Sequence, residues 1–380
     1  MGLQALSYPI MGNAPDQFYT LRGYALGDEK AEKKVYLQAA LHADEQPGMM
    51  VLHHLLALLT QADARGELKA RFVIFPMVNP LGMSDLQFQQ HQGRYDRFTG
   101  VNFNRQWPNL AEAIQDEIAS QLTNDASANV QVIRQAVKAW LDSQQAITAL
   151  QQQRYWVMQQ AYDADLVLDL HCDNDALPHI FTVPQSADMM QHLSDWMGAV
   201  ATLTAEDSGG GSFDEVWTSL WFRLAQAFPD KPIPQATHSA TLEYRGQLDT
   251  FDHLNRDDAE RLYGFLQSQG FIAGRLIREC PPKTPAATPL EATEFTKTLM
   301  AGLLAYRVEL GQQVKKGEVL ADLIALDGDE AFIQRTPIVA GTDGIVISRN
   351  THKYVWRGCS IAKVVGKENL ASRGKYLLQD

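Results

Sequence analysis

The sequence is poor in cysteine: Cys172, Cys280 and Cys359 are the only three in 380 residues, and their spacing is not that of a metal-binding cysteine motif. So sparse and odd a count excludes a disulfide scaffold and fits a reducing compartment with free thiols. Positive charge is also scarce, with 33 Lys and Arg against 45 Asp and Glu, a formal net charge of −12. That balance argues against a nucleic-acid partner or an anionic membrane surface. It does not exclude an acidic small substrate, because a local arginine cluster can outvote a distant negative surface. Long apolar runs are missing too. No stretch is long enough to span a bilayer, and no charged start leads into an apolar signal core. Residue 6 is Leu, so Met1-Gly2 does not open a myristoylation signal. Together these lacks are read as a cytoplasmic protein with no membrane partner.

At 380 residues the chain exceeds the comfortable size of one hydrophobic core, so about two domains are expected. The boundary is marked by Cys280 to Pro289, CPPKTPAATP, whose four prolines cannot sit inside a helix or a central strand. Residues 1–284 alternate strand and helix signals and read as an α/β domain. Residues 285–380 carry short β-type runs between glycine turns and read as a small all-β domain.

The first domain is organised around Lys34 to Pro47, KVYLQAALHADEQP. Val35 to Leu41 has the look of a buried strand, and it stops at His42. Glu45 follows three residues later, and Pro47 opens an amphipathic helix. An imidazole and a carboxylate at the carboxyl end of a buried strand suit a zinc site, which needs a third protein ligand and an open position for catalysis. Taken alone, the pattern is weak and fits a strand-end His and a helix-capping Glu better than a metal site. Asp165 to Leu170 is a second short strand, ending at His171, with Asp169 on the same side of the strand as that His and able to orient it. Glu243 interrupts the apolar strand Ala240 to Tyr244, where a carboxylate is costly unless it is functional or paired, for instance with Arg245. Gly82 to Pro108 is a long polar loop carrying Arg97, Asn104 and Arg105, and loops of this length in compact domains are usually functional. Other expected elements are a strand at 18–26, helices at 48–64 and 110–122, one or two helices in 125–164, and a strand at 179–184. A helix spans 185–203, a flexible glycine loop 208–212, a helix 213–228 and a helix 256–269.

His-x-x-Glu after a strand, Asn-Arg in a loop, Asp-Leu-His at a strand end and then a strand-borne Glu is an order that resembles zinc carboxypeptidase-like hydrolases. The chain is most similar to the succinylglutamate desuccinylase/aspartoacylase branch. The resemblance implies a carboxypeptidase-like mixed sheet flanked by helices. It implies one zinc ion per chain on His42, Glu45 and His171, with Glu243 as general base. Arg97, eight residues before Arg105, would polarise the scissile carbonyl, and Asn104 with Arg105 would grip a substrate carboxylate. Three stretches depart from the family, one of them the long helical segment 125–164, which looks like an expansion. Asn102 stands where many members carry Asp, and Cys172 to Asp175 is more acidic than usual. The C-terminal segment resembles a biotinyl/lipoyl-type barrel, but its presenting turn, Asp327 to Ala331, contains no lysine. That makes it a lid rather than a carrier.

The activity implied is removal of an acyl group from an N-acyl amino acid or a related small carboxylate-bearing amide. A carboxypeptidase acting on short peptides and a non-catalytic binding protein on the same fold remain alternatives. Assembly as a homo-oligomer is left open.

Overall fold

The computed structural model describes residues 2–329, 331–371, 373, 374 and 377. Its centre is a nine-stranded mixed sheet in the order Gln4–Met11, Phe18–Leu26, Arg71–Met77, Lys34–Ala39, Leu166–Asp173, His238–Gly246, His179–Thr182, Ala201–Thr204 and Thr288–Pro289. Four strands in the middle, from Arg71–Met77 to His238–Gly246, run parallel. Their near-continuous apolar sequences follow from burial on both faces. Val35, Leu37, Phe72, Ile74, Leu168 and Leu170 pack on helices Pro47–Ala64, Ala187–Met197 and Asp252–Ser268. On the opposite face, Tyr36, Val73, Phe75 and Val167 pack on Leu110–Ile118, Ala126–Ser143, Ala149–Ala161 and Phe213–Ala227. The result is the helix-flanked mixed sheet expected from the sequence.

Several elements differ from expectation. The strand Leu166–Asp173 runs on through His171, placing that residue inside the sheet. The helix expected over 185–203 ends at Met197, where Gly198 adopts φ 69° and caps it. The strand Ala201–Thr204 follows. Gln4–Met11 is an antiparallel edge strand that the mixed polarity of the N-terminal residues concealed. The segment 125–164 forms two helices, broken near 144–148.

Beyond Pro289 the chain forms two antiparallel sheets. One contains Thr293–Lys297, Ser360–Val365, Gly344–Arg349 and Gln313–Val314; the other contains Arg335–Val339, Val319–Ile324, Gly302–Tyr306 and Tyr354–Val355. Leu304, Val314, Leu320, Leu323, Val346, Ile361 and Val364 fill the space between them. Glu330, in the turn lacking lysine, lies outside the described residues. This β module is joined to the large sheet at its most chemical point. Asp175–Ala176, immediately after the His171 strand, pairs antiparallel with Gly344–Arg349. Arg349 grips Asp175 through Nε at 3.1 Å and Nη2 at 2.9 Å, and Lys363 pairs with Asp173. Among the described residues, no helix is long and apolar enough to cross a membrane.

Candidate active site

His42, Glu45 and His171 meet at the carboxyl edge of the parallel strands, with one ligand atom from each lying within 4.8 Å of the others. Glu45 bridges the pair: Oε1 is 2.9 Å from His42 Nδ1 and Oε2 is 2.7 Å from His171 Nδ1. Each ring is fixed from behind. His42 Nε2 lies 2.8 Å from Asn102 Oδ1, and His171 Nε2 lies 2.9 Å from Asp169 Oδ2. A carboxylate only accepts, so His171 must donate from Nε2. The Asn102 oxygen is identified by the Asn104 N–H that donates to it at 2.8 Å, so His42 donates from Nε2 as well. Both Nδ1 atoms therefore face Glu45, and because its oxygens only accept, a cation set among the three would take the place that a proton holds on His171. Two imidazole nitrogens and one carboxylate, oriented by outer hydrogen bonds, are a donor set of the kind that zinc takes, and these residues could hold a metal ion.

The charge balance agrees with that fit. Burial, helped by the Arg94 guanidinium, lowers His42 to about 4, so it stands as a neutral ligand. Burial would raise Glu45, but the two imidazoles outweigh it and hold the carboxylate ionised. For His171 burial works downward and is outweighed by Asp169 and Glu45, which raise its pKa. Glu45 and Asp169 thus draw positive charge onto His171, a place that a bound cation would take.

Glu243 stands beside His171 in the register of the adjacent strand. Its Oε2 is buried with no hydrogen-bond partner. Arg245, which might have paired with it, instead holds Asp258 at 2.6 Å. Burial first, and then the Glu45 charge, push Glu243 up to about 8.

The loop arginines are placed differently from expectation. Arg97 is 69% exposed and lies 3.6 Å from Asp85. The guanidinium in the cluster belongs to Arg94, 3.0 Å from Glu45 Oε1. The spacing argument miscounts because residues 97–100 form an excursion. Asp96 accepts the Thr99 N–H and hydroxyl, Gly100 N–H returns to Asp96 O, and Tyr95 bridges to Asn102. Arg94 is thereby brought opposite Phe103 and Arg97 is extruded. One signal lay in Gly93, where a Cβ would come 2.3 Å from Asp44 N. Only glycine lets this loop seat on the His42–Glu45 turn.

Asn104 and Arg105 both line the cleft. Asn104 Oδ1 accepts the Phe213 N–H at 2.8 Å, the first turn of helix Phe213–Ala227. The glycine loop expected to be flexible is a brace. Gly209, Gly210 and Gly211 all have positive φ, Gly210 O and Gly211 O accept the N–H groups of Gln106 and Trp107, and a Cβ on Gly210 would meet Arg105 Cδ at 2.7 Å. Arg154, from one of the two helices in 125–164, donates to the carbonyls of Arg105 at 2.6 Å and Gln106 at 2.9 Å. Three residues beside the site, Ala40, Gln106 and Arg245, hold left-handed backbone at φ 57°, 60° and 63° without being glycine. Such strain gathers at functional sites.

These groups open into one cleft of about 910 Å³. Its other wall belongs to the β module, through Phe295, Lys297, Arg349, His352 and Lys363. Burial alone would raise Asp173, but the Lys363 ammonium, with His179, holds it below the usual carboxylate range.

A helix-flanked mixed sheet thus carries, at its carboxyl edge, two histidines and a glutamate that could hold a metal ion. Residues 31–215 match the succinylglutamate desuccinylase/aspartoacylase catalytic domain, in agreement with the resemblance read from the sequence. Among solved structures it is similar to a Shewanella frigidimarina protein named for the same family, at TM-score 0.82 and 24% identity over 96% of this chain and 97% of that one. It is similar to a Shewanella amazonensis family protein at 0.81 and 23%, over 95% and 98%. The product-bound ectoine utilization protein EutE (DoeB) of Ruegeria pomeroyi aligns at 0.67 and 17%, over 97% and 96%. These likenesses concern the fold, and they run the length of the chain, β module included. Among curated proteins, none matches the chain in sequence.

Proposed function

We propose that this protein is a zinc-dependent amidohydrolase that removes an acyl group from a small N-acyl amino acid or similar carboxylate-bearing amide. The observation that carries the reading is the pair of Nδ1 atoms converging on Glu45 while both Nε2 atoms are tied down. His42, Glu45 and His171 would hold the ion, which when bound supplies Lewis acidity to activate water and polarise a carbonyl.

The chain's own groups do the rest. Glu243 accepts a proton from the attacking water at its unpartnered carboxylate and returns it to the leaving amine. Burial and then the Glu45 charge raise Glu243, and a cation held by Glu45 would offset the second of these and favour the ionised base. Arg94, rather than Arg97, is the guanidinium placed to stabilise the oxyanion. Arg105 offers a fork for a carboxylate. Asn104 has spent Oδ1 on Phe213, so Nδ2 is the donor it can add. We take residues 285–380 as a separate unit that roofs the cleft. A roof restricts the site to small molecules, which disfavours the carboxypeptidase alternative. The desuccinylase and aspartoacylase names of the matching family model favour small acylated amino acids.

The test is a panel of N-acyl amino acids and short peptides, with and without chelator, on wild type and Glu243→Gln. We expect chelator-sensitive hydrolysis of the former alone, and a loss of about 10²–10⁴ in turnover for the variant with its metal retained. A wild-type protein that binds no metal overturns the reading, as does an undiminished Glu243→Gln.

A further inference from the structure

The two histidines at the site are backed unequally. Behind His171 stands Asp169, a fully buried carboxylate whose Oδ2 is 2.9 Å from Nε2 and whose Oδ1 has no hydrogen-bond partner. Behind His42 stands Asn102, a buried neutral amide, with Oδ1 2.8 Å from Nε2. The amide cannot turn its nitrogen to the ring, because the Asn104 N–H holds the same oxygen at 2.8 Å. Asn104 in turn anchors helix Phe213–Ala227. The oxygen that orients His42 therefore belongs to the same short stretch that carries Arg105.

From this geometry we infer that Asn102 is a positioning residue that sets the metal affinity of the site from the His42 side and weakens it relative to a carboxylate. The inference rests on the zinc reading above. A carboxylate behind an imidazole raises the basicity of the opposite nitrogen, whereas an amide fixes the tautomer without that donation. His171 is thus the strong ligand and His42 the weak one. Arg94 Nη1 lies 3.1 Å from His42 Nδ1, so this ring has a cation on its inner side and an uncharged amide behind it. The chain holds its ion with one charged support rather than two.

The test uses the full-length protein and zinc itself, with competition against a chromophoric chelator as readout, so binding is measured without turnover. Asn102→Asp keeps an oxygen where the Asn104 N–H and the His42 ring need it, and it adds charge. Asn102→Leu removes the oxygen. We expect Asn102→Asp to bind zinc about 10-fold more tightly than wild type and Asn102→Leu to bind it about 10–100-fold more weakly. Cobalt-loaded Asn102→Asp should show a shifted visible band, because the donor strength at His42 has changed, and a role confined to the loop's fold would leave that band in place. Melting curves of the metal-free variants identify a folding defect, and the Asp variant keeps the comparison alive if Leu misfolds. Equal zinc affinity and an identical cobalt spectrum in wild type and Asn102→Asp overturn the inference while leaving the zinc reading intact. Absence of zinc from wild type overturns the zinc reading itself.

Discussion

The central strands carry charge at both ends, and the two ends treat it oppositely. At the amino ends each charge has a partner. Lys34 pairs with Asp163, and Asp165 accepts the Lys34 backbone N–H at 2.7 Å and the Arg134 guanidinium at 3.0 Å. At the carboxyl ends of the same strands the arrangement is left open. Two histidines share one carboxylate, Glu243 Oε2 and Asp169 Oδ1 have no partner, and Ala40 and Arg245 hold strained backbone. Buried polar groups without partners are unfavourable for folding. Two unpartnered carboxylate oxygens beside the His–Glu–His group mark where a ligand would complete the structure, whereas at the other end the carboxylates are paired, although Arg134 Nε lacks a partner. The difference lies in pairing rather than in composition.

The largest effect expected from breaking this contrast is His171→Ala. It removes one of three ligands from a set already tied at its outer nitrogens, so bound zinc, measured by elemental analysis of purified protein, should fall to a small fraction of wild type. Activity should fall with it. Near-stoichiometric zinc in the variant would mean that the ion sits elsewhere.

The next effect is a contrast within the loop. Arg94→Ala should lower kcat by about 10²–10³, the usual cost of one oxyanion donor. Arg97→Ala, which frees only an exposed contact to Asp85, should stay within twofold of wild type. The reverse ranking would restore the role that sequence spacing gave to Arg97.

That pair also shows what the sequence made legible. The buried strands announce themselves by apolar runs; His42, His171 and Glu243 could be found because each interrupts or ends one, and Glu45 because it follows His42 by three residues, ahead of the helix-opening Pro47. Asp169 was legible from strand alternation, since i and i+2 share a face. Arg94 was not, because counting residues back from Arg105 treats an Asp96-capped excursion as if it lay along the path. The strand Ala201–Thr204 was lost for a similar reason: the helical pattern runs into it, and Gly198 was the punctuation. The role of the triple glycine was hidden too, since nothing local says that Gly210 must admit the Arg105 side chain. Local periodicity specifies elements, whereas the site depends on how loops turn between them.

The smallest effect sharpens the opening contrast from the other end. Asp165→Asn keeps the shape of the side chain but removes the charge that serves the Lys34 N–H and Arg134. Charge-assisted hydrogen bonds of this kind contribute about 1.5–3 kcal/mol each when buried. Asp165 is 29% exposed and Asn retains an acceptor, so about 1–2 kcal/mol in total is the expected loss. For a chain of this size that is a fall in Tm of about 2–5 °C, read by calorimetry on metal-free protein. Its kcat/KM at a temperature well below the transition should equal that of wild type, because the site lies at the far end of the strands. Glu243→Gln should do the opposite. Without metal its Tm should hold or rise, because a neutral amide replaces a carboxyl that burial and Glu45 both disfavour in its charged form, while turnover collapses. A stability cost in Glu243→Gln as large as that in Asp165→Asn would show that the carboxyl end is paired for folding after all, and the division of labour between the two ends would fail.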